Sequence, residues 1–348
     1  MLSLSLPRAE MLAEASYVLY GKLPNRPDFV RVNVNHPAAL DLDSRIQAVL
    51  EKMLADREFC HQYENSGPVV FQYISKDHRY VMTGVIVPSR DSAGRLYPFV
   101  ASAIHPDERV SDYLPVIPIA YEMFFDGLRE QATNAVLNSV EALSCRQFLE
   151  HALRPVLSNA DDLQLASSVV RRHADQVKCE RIANLLATDQ AGTTLHQALL
   201  NIAFYMDYLR RFDNRATNQI VTLPLPDVEG EQALFASAWL SLFVSLWPSR
   251  SAGPLSCSHL TVRGGDKRVY LVICVGSVSD SFVSLLLGCR LDQGMQLDLA
   301  HEHDAWKSHR MYAEASYALG RVLADPDYRL TALCRFLEDM SRLLETRL

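Results

Sequence analysis

The sequence predicts an α+β protein: an antiparallel-rich sheet packed with helices in an N-terminal domain, a helical middle, and a second, smaller α/β domain. Three observations predict it. Three β-like runs, Val69–Ile74, Tyr80–Val87 and Phe99–Ile104, succeed one another over short links. From Ile117 to about Ala216, apolar residues recur at i, i+3 and i+4 with charges between them and almost no glycine. Beyond that stretch, strand and helix patterns mix again. At 348 residues the chain has the length of two domains of about 100–200 residues each. The expected division is an α/β domain over 1–155, a helical connector over 156–216, and an α/β domain with a helical tail over 217–348.

Taken in order, Ala15–Leu19 reads as a strand or a helix end and leads into the turn Gly21-Lys22-Leu23-Pro24. Phe29–Val34 alternates apolar and polar residues, as a strand does. Leu42–Phe59 reads as one amphipathic helix, with Ile46, Val49, Leu50, Met53 and Leu54 at helical spacing and Asp43 as its expected N-cap. Ser75–Arg79 is a polar loop of hairpin length between two of the β-runs. Leu128–Leu153 and Leu163–Phe212 are helical. Ile220–Leu223 then reads as a strand and Gln232–Leu246 as a buried helix. His259–Arg263 and Arg268–Val275 form a hairpin around Gly264-Gly265-Asp266-Lys267, where glycine supplies positive φ at no steric cost. Phe282–Leu287 is apolar and fits either periodicity. His309–Leu348 is helical in two pieces divided near Asp325-Pro326-Asp327. Met11–Leu19 and Met311–Leu319 are near-duplicates, but their flanks do not continue the match and no repeat architecture is implied.

Composition narrows the function classes. With 49% apolar and 22% charged residues, the chain can build sizeable cores without disulfides or metals. The net charge of −7 is spread along the chain, which argues against a general nucleic-acid binder. Arg171-Arg172 and Arg210-Arg211 are interrupted by acidic and apolar neighbours and read as solvated helix faces. No run reaches the ~20 apolar residues of a membrane span. Met1–Leu6 is too short for a signal-peptide core before Arg8 and Glu10, so the expected location is the cytoplasm. Seven cysteines, widely spaced and without a CxxC pair, read as reduced thiols.

Catalytic signatures are missing. The sequence has no HExxH, no zinc-finger spacing, no GxSxG, no Walker A and no GxGxxG. His301-Glu302-His303-Asp304 is the one dense set of possible metal ligands, and it reads as an acidic loop before Trp306. No catalytic residue, metal or cofactor is expected.

Two segments carry a family pattern. The first is Tyr20-Gly21-Lys22-Leu23-Pro24, three residues, then Asp28-Phe29-Val30. The second is a strand ending at Val87, then Pro88-Ser89-Arg90-Asp91-Ser92-Ala93-Gly94-Arg95-Leu96-Tyr97-Pro98. In order and separation they resemble the TagF (ImpM) family of type VI secretion proteins. Pro27 stands where that family usually has glycine, and the tryptophans common between its motifs are missing. The second half of the chain is similar only loosely, through Ala236, Trp239 and Gly253-Pro254.

The resemblance implies a non-catalytic accessory protein, a post-translational repressor of type VI secretion. It implies action by binding a forkhead-associated scaffold protein, or other components of the system, beside a threonine kinase and phosphatase pathway. A structural or chaperone-like assembly factor is the alternative, and a hydrolase or phosphatase using His105 or His301 a further one. The motif residues that would bind a partner or build the fold are Gly21, Lys22, Pro24, Asp28, Phe29, Pro88, Ser89, Asp91, Gly94, Arg95 and Pro98. Gly21 and Gly94 are expected at backbone angles unfavourable to other residues, with the prolines fixing loop entry and exit. Asp28 and Arg95 are expected to bridge the two motifs as a carboxylate–guanidinium pair.

Overall fold

A computed structural model describes residues 16–106, 113–138, 142–152, 160–189, 192–211, 219–247, 255, 257–264, 268–290, 294 and 296–346. Its strands are β1 (Ser16–Gly21), β2 (Val30–Val32), β3 (Val69–Ile74), β4 (Tyr80–Val87), β5 (Phe99–Pro106), β6 (Val221–Leu225), β7 (Cys257–Arg263) and β8 (Val269–Val275). They form one sheet in the order β2-β1-β5-β4-β3-β7-β8-β6, antiparallel at every pairing. Mixed with helices, this is the α+β class expected. The sheet runs across the boundaries expected near residues 155 and 216, because β3 pairs with β7 through Val70↔Thr261, Phe71↔Leu260 and Gln72↔His259. Residues 11–15 of the near-duplicate, 253–254 of the loose second-half match and 265–267 of the expected hairpin turn lie outside the described residues.

The helices in the first half are α1 (Pro37–Met53), α2 (Arg57–Asn65), α3 (Ile117–Ala120), α4 (Glu122–Leu137) and α5 (Leu143–Ala152). Next come α6 (Ala160–Gln176), α7 (Cys179–Asp189), α8 (Leu195–Arg211) and α9 (Glu229–Ser245). The last are α10 (Asp280–Leu286), α11 (Asp304–Lys307), α12 (Tyr312–Leu323) and α13 (Leu330–Thr346).

The helix expected over 42–59 is two helices, and its expected cap is wrong. α1 starts at Pro37, whose fixed φ suits a first helical position, and the His36 ring accepts from Ala38 N–H at 3.2 Å. The chain breaks after Met53 and restarts behind Asp56, whose carboxylate accepts from Glu58 N–H at 2.9 Å. Asp43 lies inside α1 and accepts the Tyr97 hydroxyl instead. The ambiguous run at 282–287 is helical as far as Leu286, and the helix is capped by Ser279, which accepts from Phe282 N–H at 3.2 Å.

The two faces of the sheet are covered differently. On one face a single core runs through both halves: Tyr20, Phe71, Met82 and Val100 meet Leu260, Val272 and Cys274 under α1, α2 and α10. On the other face there are two cores. Leu19, Val81, Val85 and Ala101 pack under α3–α5, while Val221, Leu223, Leu271 and Ile273 pack under helices that include α7, α8, α9 and α13. Between them lies a buried polar row, Thr83, Gln72 and His259, opposite one another on adjacent strands. Gln72 donates to the Cys257 carbonyl at 3.3 Å, but Thr83 Oγ1, Gln72 Oε1 and His259 Nε2 have no hydrogen-bond partner among the described residues. Among the described residues, no helix is long and apolar enough to cross a membrane.

Candidate functional site

β1 and β5 are paired over Ser16–Tyr20, and this brings the loop after β1 and the loop before β5 to the same end of the sheet. Gly21, at the end of β1, lies at φ +130°, and a Cβ there would sit 2.0 Å from the Pro98 carbonyl oxygen. Only glycine lets the two backbones approach so closely. The loops are then stitched together: Ser92 N–H donates to the Arg26 carbonyl at 3.0 Å, and Ser89 Oγ to the Lys22 carbonyl at 2.7 Å.

At the centre is Asp91, 2% exposed. Its Oδ2 takes the Lys22 ammonium at 3.1 Å and Arg95 Nε at 2.6 Å. Its Oδ1 accepts the backbone N–H groups of Ala93 at 3.0 Å and Arg95 at 2.9 Å. Burial pushes this carboxyl up. The Arg95 N–H, the Lys22 ammonium and the Arg95 guanidinium outweigh that and hold it far below the usual carboxylate range. Gly94, at φ +81°, closes the turn by donating to the Asp91 carbonyl at 2.9 Å. Lys22 is itself only 7% exposed. Its ammonium lies 5.4 Å from the centre of the Phe29 ring, which meets Tyr97 edge-on at 4.8 Å.

The structure therefore joins Gly21, Lys22, Phe29, Ser89, Asp91, Gly94, Arg95 and Pro98 in one knot, with Pro24 and Pro88 half-buried where its loops begin. The expected Asp28–Arg95 pair is not formed. Arg95 directs Nε to Asp91 and Nη2 to the Pro27 carbonyl at 3.0 Å, while Asp28 is exposed. Asp91 wins because it is four residues from Arg95 in the same turn and already fixed by that turn's N–H groups. Arg95 does connect the two motifs, but through a carbonyl.

Residues 18–152 match the family profile described as the TagF N-terminal domain, type VI secretion system-associated. The chain carries a TagF N-terminal domain. That domain is a type VI secretion-associated one. A crystal structure of PA0076 from Pseudomonas aeruginosa PAO1 aligns over 78% of this chain and 94% of that one, at 15% identity and a TM-score of 0.34. No curated protein matches.

Within the TagF domain, sequence reasoning missed Tyr63. From α2 its hydroxyl donates to the Ser89 carbonyl and accepts Ser89 N–H, both at 3.0 Å, so it anchors the second motif from below. Burial pushes its phenol well above the ordinary value, which keeps that hydroxyl a donor. Tyr63 lies in α2, outside both motifs, and nothing local marks it.

His105 and His301 occupy separate places. His105 is buried in β5 with the Tyr121 hydroxyl 3.2 Å from its Nε2. His301 is exposed in the loop before α11, its Nδ1 2.9 Å from Asp298 Oδ2. Among the described residues, no three His, Cys, Asp or Glu side chains are grouped to hold a metal ion.

Proposed function

We propose that this TagF-domain protein is a non-catalytic post-translational regulator that represses type VI secretion by binding a forkhead-associated scaffold protein. The observation that carries this reading is how the knot uses its charges. The buried motif ions, Lys22 and Asp91, are matched internally, and what faces outward is the crest of two loops, 25–28 and 92–95, pinned to each other by Ser92 N–H on the Arg26 carbonyl and Arg95 Nη2 on the Pro27 carbonyl. A surface that is fixed before contact loses little entropy on binding. A reactive centre would instead need an ionisable group free to exchange protons or bonds.

The test is affinity capture of the tagged full chain from its own bacterium, with mass spectrometry of the proteins that co-purify. A forkhead-associated protein should be enriched with the native chain and lost with Asp28→Arg, a crest substitution outside the knot, at unchanged thermal stability. Recovery of no secretion component with the native chain overturns the reading. Deleting the gene should raise secretion. Loss of secretion instead would favour the assembly factor.

A further inference from the structure

At the seam between the two cores is a cavity of about 230 Å³. β7 supplies its floor, with Arg263 exposed at one end, Thr261 half-buried in the middle and His259 buried at the other. The same face of β8 and β6 adds Leu271, Val269 and Leu225, in register with Thr261 and Arg263. Two helices wall it: α4 offers Glu122, Phe125, Asp126 and Arg129, and the first turns of α9 offer Glu229, Gln232, Ala233 and Ala236. Each set runs along one helical stripe at i, i+3, i+4 and i+7. The walls thus come from both halves of the chain.

The lining carries opposite charges around an apolar middle. Its acids are Glu122, Asp126 and Glu229 and its bases Arg129 and Arg263, and Asp126 accepts Arg129 Nη2. Two buried polar atoms of lining residues, His259 Nε2 and Arg129 Nε, have no hydrogen-bond partner among the described residues. Buried polar groups left without partners are costly, so such sites call for water or a ligand. A singly charged ligand satisfies one set of charges and meets repulsion from the other; a molecule carrying both satisfies both.

We infer that this cavity binds a small zwitterion of the amino-acid type with an apolar side chain. The ammonium is taken by Glu122, the carboxylate by Arg129 Nε or Arg263, and the side chain lies on Phe125 and Leu271. The size agrees, being below the ~300–1,000 Å³ of sites for larger ligands. Two groups fit this further. Burial and the neighbouring Asp126 carboxylate push the Glu122 carboxyl up, a cost an ammonium relieves. Burial pushes the His259 imidazole down to about 4, so at neutral pH it offers one donor and one acceptor. Binding of such a ligand does not depend on the regulatory role proposed for the TagF motifs.

The experiment is nuclear magnetic resonance of the full chain with isotope-labelled alanine methyls, titrated separately with L-leucine, isoamylamine and isocaproate. The last two keep the apolar body and one charge each. Leucine should move the Ala233 and Ala236 methyls saturably, with affinity at least about tenfold above either analogue. Ala233→Leu, which fills the cavity with a side chain, should abolish the shifts without lowering the melting temperature. Glu122→Gln should weaken leucine and leave isocaproate unchanged or tighter. No saturable shift with leucine, equal affinity for all three probes, or shifts that persist in folded Ala233→Leu protein would each overturn the assignment.

Discussion

The two faces of the central sheet solve the same problem in different ways. Both cover strands from the first and second halves of the chain. One does so with a continuous apolar core under α1, α2 and α10. The other divides its apolar groups into two cores and leaves Thr83, Gln72 and His259 between them. The strand backbone is common to both faces, so the contrast comes from the alternation of side chains: on β3, Phe71 and Tyr73 go one way and Gln72 the other. The continuous face therefore holds the halves together, and the divided face is where the protein can accommodate something else.

The most damaging way to break that contrast is to cut the continuous core. Phe282 of α10 is fully buried beside residues of both halves. Phe282→Ala should cost about 3–5 kcal/mol through lost transfer energy and the cavity left behind. Denaturant unfolding tracked by probes in each half should show both transitions shifted together. A shift confined to the second half would mean the face does not couple them.

Next comes acidification of the divided face. The His259 imidazole titrates near 6.5 when unfolded and at about 4 when folded, because burial disfavours its charged form. Between those values the unfolded chain binds the extra proton, so stability is full above 6.5, falls as pH drops toward 4, and is flat below for this group. The loss approaches about 3 kcal/mol over that window. In His259→Phe the fall should be shallower by that amount, read from denaturation midpoints at successive pH values. Equal slopes in both proteins would mean that the ring is not held neutral by the seam.

The divided face can also be sharpened. Thr83 Oγ1 is buried without a hydrogen-bond partner among the described residues. Thr83→Val keeps the shape and removes the hydroxyl, and should stabilise by about 1 kcal/mol. Destabilisation of that size would show that the hydroxyl is bonded within the seam.

How much of the fold and the site was legible depended on range. β3, β4, β5 and the β7–β8 hairpin could be read because alternation and turn residues are local signals. The pairing of β3 with β7 could not, since nothing in either strand states its partner across nearly 190 intervening positions. The polar row is visible only once that register is known: Gln72 and His259 are each unremarkable in sequence and meaningful as neighbours. At the TagF motifs the residues were legible and one contact was not. Asp91 and Arg95 are a local pair four apart, and reading across the loops to Asp28 passed over it. His36-Pro37 is a local helix start as well, with proline at the first helical position, six residues ahead of the carboxylate at Asp43.

The smallest effect expected is at the rim of the continuous face. Lys52 of α1 and Asp280 of α10 join the two halves at 2.6 Å, but both side chains are 65% exposed. Solvent screens such a pair and holding two mobile side chains costs entropy, so it contributes at most about 0.5 kcal/mol. Lys52→Ala should shift the denaturation midpoint by no more than that, and added salt should erase the difference. Beside it, α1 meets the segment just before α10 through Arg45, whose Nη1 donates to the Val278 carbonyl at 2.8 Å from a far more buried position. Arg45→Met should therefore cost more than Lys52→Ala and keep its cost in salt. If the two behaved alike, the union of the halves on this face would be electrostatic at its edge and not a property of the apolar core beneath.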